Sequence, residues 1–416
     1  MLRYCWPLLA ILLSPTAYAQ QALQLDDAIA EALEHSPAMN SAKARVKASA
    51  GERTQAGAYP NPELGIEAEN IGGDAPYDGF QSAEMTYGVT QQIEMWGKRS
   101  ARKDAAHFGY DVAALDAEAI RLDVIRDVSV AYADAVAAQE KERYADEQHR
   151  IAGEELKSVS RRVAEAASPL MQRSKAEITV ATSKFAQEEA KQEALVARKQ
   201  LAVLMGRPQL SEALATDAFF AVESPKTVEE ELLKATPDWV RWEREKKRAT
   251  SLLELEKANA LPDPTVNLGV RQFRDTDDKA FVLGVSLPIP VFDSNRGNIE
   301  RARAEVSRSE SDQQLALLDR QKDFARLQGA LGTAYLQAIS LRDTIIPAAE
   351  QAFGQSRYGY GAGKFQYLEV LDAQRTLFDA RHQYITALRN YHTHKAELER
   401  IAGLHHTPSE GDHHDE

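Results

Sequence analysis

Two pairs of short segments in which apolar and polar residues alternate sit at matching places in two halves of a chain that otherwise reads as long helices. The first pair follows Tyr59-Pro60-Asn61-Pro62-Glu63; the second follows Leu261-Pro262-Asp263-Pro264-Thr265, roughly 200 residues later, and a repeat at such an offset constrains the fold more than any single element. In the first segment Leu64, Ile66 and Ala68 alternate with Gly65, Glu67 and Glu69. In the next, Met85, Tyr87, Val89, Gln91 and Ile93 alternate with Thr86, Gly88, Thr90, Gln92 and Glu94. The second half sets Val266, Leu268 and Val270 against Asn267, Gly269 and Arg271, and its cleanest stripe is Phe281, Leu283, Val285, Leu287 and Ile289. A period of two places each class on its own face of a strand. Strands are expected at about 62–70, 83–94, 265–272 and 280–290, runs of the length that crosses an outer membrane when tilted. Taken alone, the alternation also fits two surface hairpins of a soluble domain.

The flanking sequence narrows the choice. Met1-Leu2-Arg3, the apolar stretch Leu8 to Leu13 and Ala17-Tyr18-Ala19 form a secretory signal peptide over residues 1–19, so the mature chain is expected to begin at Gln20. Cys5, the one cysteine, lies inside that segment; it is not placed for lipid attachment, and the exported protein has no disulfide. No later window has the unbroken apolar length of a membrane helix, so an exported chain of this kind crosses a membrane only as a barrel. Acidic residues number 63 against 50 basic, a net charge of -13. That balance, with no basic patch or aromatic stacking platform, argues against nucleic acid and suits the passage of cations better than anions.

Most of the remainder is helical. From about Lys98 to Ala167 the chain is rich in Ala, Glu, Arg, Lys and Gln and has no proline until Pro169. Leu115, Leu122, Ile125, Tyr132 and Val136, and in the second half Leu327, Leu331, Ala334, Ala338, Leu341 and Ile345, follow a seven-residue rhythm, as in helices packed side by side. Stripes this narrow favour lateral packing into a layer or tube over one globular core. The fold class is therefore mixed and mainly α, with four β-strands per chain. His35-Ser36-Pro37 matches Ala235-Thr236-Pro237, Glu94 to Arg99 matches Pro290 to Asn295, and Leu204-Met205-Gly206 matches Ile401-Ala402-Gly403. These matches define a first structural repeat at 20–206, a connector at 207–226, a second repeat at 227–403 and a His-rich acidic tail at 404–416. Four strands cannot close a barrel and an open edge is not viable in lipid, so the strand number itself requires oligomerisation.

Several motifs occur in a specific order: Gln24-Leu25-Asp26-Asp27-Ala28-Ile29 with His35-Ser36-Pro37, Ala58-Tyr59-Pro60-Asn61-Pro62, Gln92-Ile93-Glu94-Met95-Trp96-Gly97-Lys98-Arg99, Ser168-Pro169-Leu170, and Tyr367-Leu368-Glu369-Val370-Leu371-Asp372-Ala373-Gln374. In this order they resemble the TolC-like outer-membrane efflux proteins, and within them the heavy-metal branch of CzcC type, over nearly the whole mature chain. The resemblance implies a homotrimer in the outer membrane, with a twelve-stranded β-barrel and long coiled-coil-like helices forming a periplasmic α-barrel. It implies an inner-membrane RND pump and a periplasmic adaptor as partners, and divalent cations such as zinc, cobalt and cadmium as cargo. Gly72 to Ser82 and Phe273 to Lys279 would be the outward-facing turns.

No nucleophile elbow, phosphate-binding glycine loop or H-E-x-x-H helix is present, so neither an enzyme nor a cofactor is expected. The residues singled out belong instead to a gate. Glu369 and Asp372 are three apart and share a helix face; in a trimer each would form a ring of like charge that attracts cations and opposes tight closure. By position Tyr360, Glu369 and Asp372 match the family's periplasmic constriction. Where well-known members carry an arginine after the glycine, this chain has Phe365. Glu369 and Asp372 would equally serve to solvate an exposed helix. In the tail, His405, His406, His413 and His414 stand among carboxylates, a mixture suited to weak capture of borderline divalent ions or to a soluble end with no role. Two alternatives accompany the metal reading: a channel of the same fold for drug efflux or type I protein secretion, and a periplasmic adaptor.

Overall fold

The computed structural model describes residues 22–226 and 229–405. The signal-peptide segment and tail residues His406, His413 and His414 lie outside the described residues. In chain order the elements are α1 Leu25–His35, α2 Pro37–Ala56, β1 Glu63–Glu69, β2 Glu84–Gln92, α3 Lys98–Ala164, α4 Leu170–Leu204, the single turn α5 Asp217–Phe220, a 3-10 turn Glu230–Ala235, α6 Pro237–Asn259, β3 Thr265–Phe273, β4 Lys279–Ser286, α7 Arg296–Ser340, a π-helical turn Leu341–Ile345, α8 Ile346–Gly361 and α9 Tyr367–Ala402.

Proline sets several of these limits. Pro37 opens α2, where it sacrifices no helical hydrogen bond, and the Ser36 hydroxyl caps the turn by accepting from the Met39 amide at 3.4 Å. Strand β4 stops at Ser286, short of the expected 290, because Pro288 and Pro290 have no N–H to give to a ladder. Leu287 and Ile289, both exposed, lie beyond its end. Pro347 likewise accounts for the π-helical turn: its missing N–H and its ring displace the preceding hydrogen bonds, and the Ile346 amide reaches back five residues to the Leu341 carbonyl. The extra residue rotates the helix face. Ile345, expected in the packing stripe after Leu341, is exposed, and burial resumes at Ala349 and Phe353.

Two compact units result, each drawing on both sequence halves. The first takes in Asp127–Pro225 and Leu331–Thr393, with the described residues up to Glu34. Its helices interlock through Ala135, Val136, Ala338, Ile385 and Leu388, where small side chains allow close approach. Arg381 bridges Glu147 at 3.0 Å and Glu350 at 2.8 Å. The connector is tied down rather than loose: Leu23 bridges Leu214, and the Tyr391 hydroxyl donates to the Glu223 carbonyl at 3.0 Å.

The second unit takes in His35–Arg126 and Lys226–Ala330, with the described residues from His394. It holds the sheet, an antiparallel meander in the order β1-β2-β3-β4. Its helices meet at a partly buried charge network. Arg400 donates to Asp123 at 2.8 Å and to Asp238 at 2.7 Å, and Arg320 pairs with Asp238 at 3.0 Å. Burial opposes the charge on Asp238, but Arg400 and Arg320 win, and its carboxyl stays below the usual aspartate range.

Candidate functional site

The sheet has two chemically opposite faces. Pairing places Leu64 beside Val89, Val89 beside Leu268 and Leu268 beside Leu283, one apolar row across all four strands. Ile66, Tyr87, Val270 and Phe281 form the next row. Most of these side chains are exposed, Leu64 at 82% and Phe281 at 93%. A soluble domain rarely leaves so continuous an apolar surface in water. The opposite face carries Gly65, Gly88 and Gly269 in one row and, beyond it, Arg271 paired with Glu69 at 2.6 Å and Glu84 at 2.9 Å. Apolar residues outward and small or charged residues inward are the pattern of a membrane barrel wall. Exposed Tyr59, Trp96 and Phe292 lie where strands give way to helices, as aromatic side chains do at a membrane interface. Among the described residues no helix is long and apolar enough to cross a membrane.

A clasp closes the helix-side end of β2 and β3. Buried Asp263 accepts from the Met95 amide at 3.0 Å and pairs with Lys98 at 2.9 Å. The Trp96 indole donates to the Pro262 carbonyl at 2.9 Å and Lys98 to that of Leu261 at 2.7 Å. Arg102 pairs with Glu94 at 2.6 Å and holds its carboxyl below the usual glutamate range. Strands β1 and β4 end the sheet, and their outer edges are unpaired among the described residues.

The expected gate residues lie in the first unit, at the turn between α8 and α9. This turn and the one between α3 and α4 share one hydrogen-bond pattern. The Ala167 amide donates to the Arg162 carbonyl and the Ala166 amide to that of Val163; Lys364 donates to Gly359 and Gly363 to Tyr360 in the same way. Both are left-handed caps, with φ of 56° at Ala166 and 73° at Gly363. Arg162 joins the turns: its guanidinium donates to the carbonyls of Tyr360 at 3.0 Å and Gly361 at 3.1 Å and stacks over the Tyr360 ring.

The structure separates the three gate candidates. Tyr360 is buried, donates its hydroxyl to Gln172 at 3.0 Å and packs on Tyr367. Glu369 and Asp372 are exposed on the first turns of α9. Phe365 lies over Gly359, so close that a Cβ on the glycine would stand 2.2 Å from its ring. Arg162, Gln172 and Glu155 are not among the sequence expectations, although Glu155 carries a signal: it occupies the helix face of Ile151 and Val159, beyond the stripe that ends at Val136. In the tail, His405 is drawn toward Glu399 at 3.4 Å, which raises its pKa, and its carbonyl accepts from Arg121. Upstream, the His392 ring nitrogen bonds the Phe219 carbonyl at 2.9 Å.

The model of the family described as outer membrane efflux protein matches residues 28–207 and 230–404. The chain is 30% identical to the cobalt-zinc-cadmium resistance protein CzcC of Cupriavidus metallidurans over 88% of its own length and 86% of the relative's. It is 27% identical to the nickel-cobalt-cadmium resistance protein NccC of Alcaligenes xylosoxydans xylosoxydans, over 68% of this chain and 64% of that one. Its fold is similar to that of the outer membrane protein VceC of Vibrio cholerae, with a TM-score of 0.76, 21% identity, and 91% of this chain and 96% of the other covered.

Proposed function

The chain belongs to the outer membrane efflux protein family, and from that premise we propose that it is the passive exit duct of a divalent-metal exporter, closed as a trimer. The observation that carries this reading is the sheet: one apolar exposed face and two unpaired edges in a chain of the outer membrane. Three copies would close twelve strands into a barrel, leaving no edge in lipid. The duct is not an enzyme and supplies no energy; an inner-membrane RND pump would do so, with a periplasmic adaptor engaging the helical turns. Metal cargo such as zinc, cobalt or cadmium is supported by the similarity to resistance proteins named for such ions. Tyr360, Glu369 and Asp372 would form the gate, with the exposed carboxylates drawing cations toward it and Tyr360 holding the turn in shape. Weak capture of metal by His405, His406, His413 and His414 would add to the local supply.

The duplicated sequence supports one way for copies to join. With Asn61 matched to Asp263 and Glu94 to Pro290, Leu64 corresponds to Val266 and Val89 to Val285. The pair Leu64–Val89 then maps onto Val266–Val285, and the other β1–β2 pairs map onto β3–β4 pairs in the same way. This agreement supports the two-repeat division at 20–206 and 227–403. Carrying the β2–β3 pairing across by the same match sets Ser286 opposite Gly65 of a neighbouring copy, and Val285 opposite its Ile66.

Ser286→Cys combined with Gly65→Cys in one chain is expected to give disulfide-linked trimers on a non-reducing gel. Ser286→Cys with Glu67→Cys, two residues out of register, should give few, because diagonal strand positions lie roughly 7–8 Å apart, beyond disulfide reach. Equal linking in both, or none in either, removes the proposed seam. For the cargo, the host lacking this protein should become sensitive to zinc, cobalt or cadmium; sensitivity confined to dyes, detergents or other organic compounds would instead favour a drug-efflux channel of the same fold, and lost secretion of a protein would favour a secretion duct.

A further inference from the structure

The core beneath the α8–α9 turn contains polar atoms that nothing satisfies. Glu155 projects from the face of α3 that also presents Ile151 and Val159, and it is 6% exposed. Among the described residues, neither of its carboxylate oxygens has a hydrogen-bond partner. Tyr367, the first residue of α9, is 2% exposed, and its hydroxyl is also unpartnered. Gln374, on the same face of α9, has an unpartnered amide nitrogen. A buried carboxylate in this state is costly when charged and much less so when protonated. We propose that Glu155 is a proton-operated latch: protonated, it lets α9 pack on α3 as described; ionised, it loosens the start of α9, which carries Glu369 and Asp372.

The groups acting on it can be named by element. Arg357 of α8 favours the charged form and Glu154 of α3 itself opposes it. Tyr367 of α9 faces it, and its own ionisation is pushed up by burial and by Glu155. From α4, Ala176 adds to the same core, and Gln172 is engaged with Tyr360. Burial dominates, lifting the Glu155 carboxyl from 4.5 to about 7. A folded-state value above the unfolded one means that the packed form binds the extra proton. Its stabilisation is therefore complete below about pH 4.5 and is lost as pH rises toward about 7. The latch would thus respond between mildly acid pH and neutrality. It rests on the duct reading only in calling the loosened turn a gate.

The test is hydrogen exchange in the full-length protein, following amides of residues 353–371 and correcting for the intrinsic pH dependence of exchange. Between about pH 4.5 and about pH 7, protection in the wild type should fall several-fold, with a midpoint between those limits, and then level off up to about pH 8.5. Glu155→Gln should abolish the step and hold the low-pH level throughout. Arg357→Ala, which removes the favourable cation, should move the midpoint to higher pH. A wild type without the step, a step retained in Glu155→Gln, or a midpoint unmoved in Arg357→Ala would each overturn the latch. Failure of the seam cross-links with the pH step intact would instead count against the trimeric duct.

Discussion

The α3–α4 and α8–α9 turns have the same backbone and different chemistry. Matching Ala166 to Gly363 places Gln172 opposite Glu369, Lys175 opposite Asp372 and Leu170 opposite Tyr367. The first turn thus begins its second helix with a neutral amide and a cation; the other begins with two carboxylates. Beneath the first, Leu170 is exposed, whereas Tyr367 is buried with an unpartnered hydroxyl. Among the described residues, Glu155, Tyr367 and Gln374 leave buried polar atoms without partners in the core under the second turn, so that turn should have the smaller margin for staying closed.

Arg162 joins the two turns, and removing it should break the contrast most. Arg162→Ala deletes two charge-assisted hydrogen bonds to Tyr360 and Gly361 and the guanidinium over the Tyr360 ring. Such bonds contribute about 1.5–3 kcal/mol where they are sheltered, so exchange at the last turn of α8 should rise roughly 10- to 100-fold. The α3–α4 turn, which keeps its own cap, should change little. Equal loosening of both turns would mean that they act as one body. An Arg162→Lys protein should fall between, since lysine cannot reproduce the planar fork.

What the sequence made legible divides along the same line. Period-two alternation revealed the four strands within a few residues, because a face turned to lipid must be apolar at every second position and nothing local competes. The carboxylates Glu369 and Asp372 could be found because helix spacing places them on one face and the family resemblance marks their position. The position of Tyr360 could not: whether a tyrosine after a glycine points outward or tucks under a turn depends on Arg162 and Gln172, which are far from it in sequence. Pro347 was visible, but the face it rotates became clear only with the π-helical turn and the exposure of Ile345. Glu155 was hidden by polarity, since a stripe defined by apolar residues passes over carboxylates placed within it, as it does over buried Glu140.

The smallest effect isolates the backbone from everything around it. Ala166 holds a left-handed conformation that costs a residue with a Cβ about 1–2 kcal/mol, while Gly363 adopts the same conformation with little strain. A Cβ at Gly363 would meet only Arg162, at an ordinary 3.8 Å, so Gly363→Ala tests conformation without a clash. It should destabilise the α8–α9 turn by about 1 kcal/mol, and Ala166→Gly should stabilise the α3–α4 turn by somewhat less, because glycine also gives the unfolded chain more freedom. Read as exchange at the two caps, the substitutions should move protection in opposite directions, by up to about tenfold. If both variants were indistinguishable from the wild type, the shared cap would not limit either turn. The difference between them would then lie wholly in the side chains, with Arg162 and Glu155 setting which one opens.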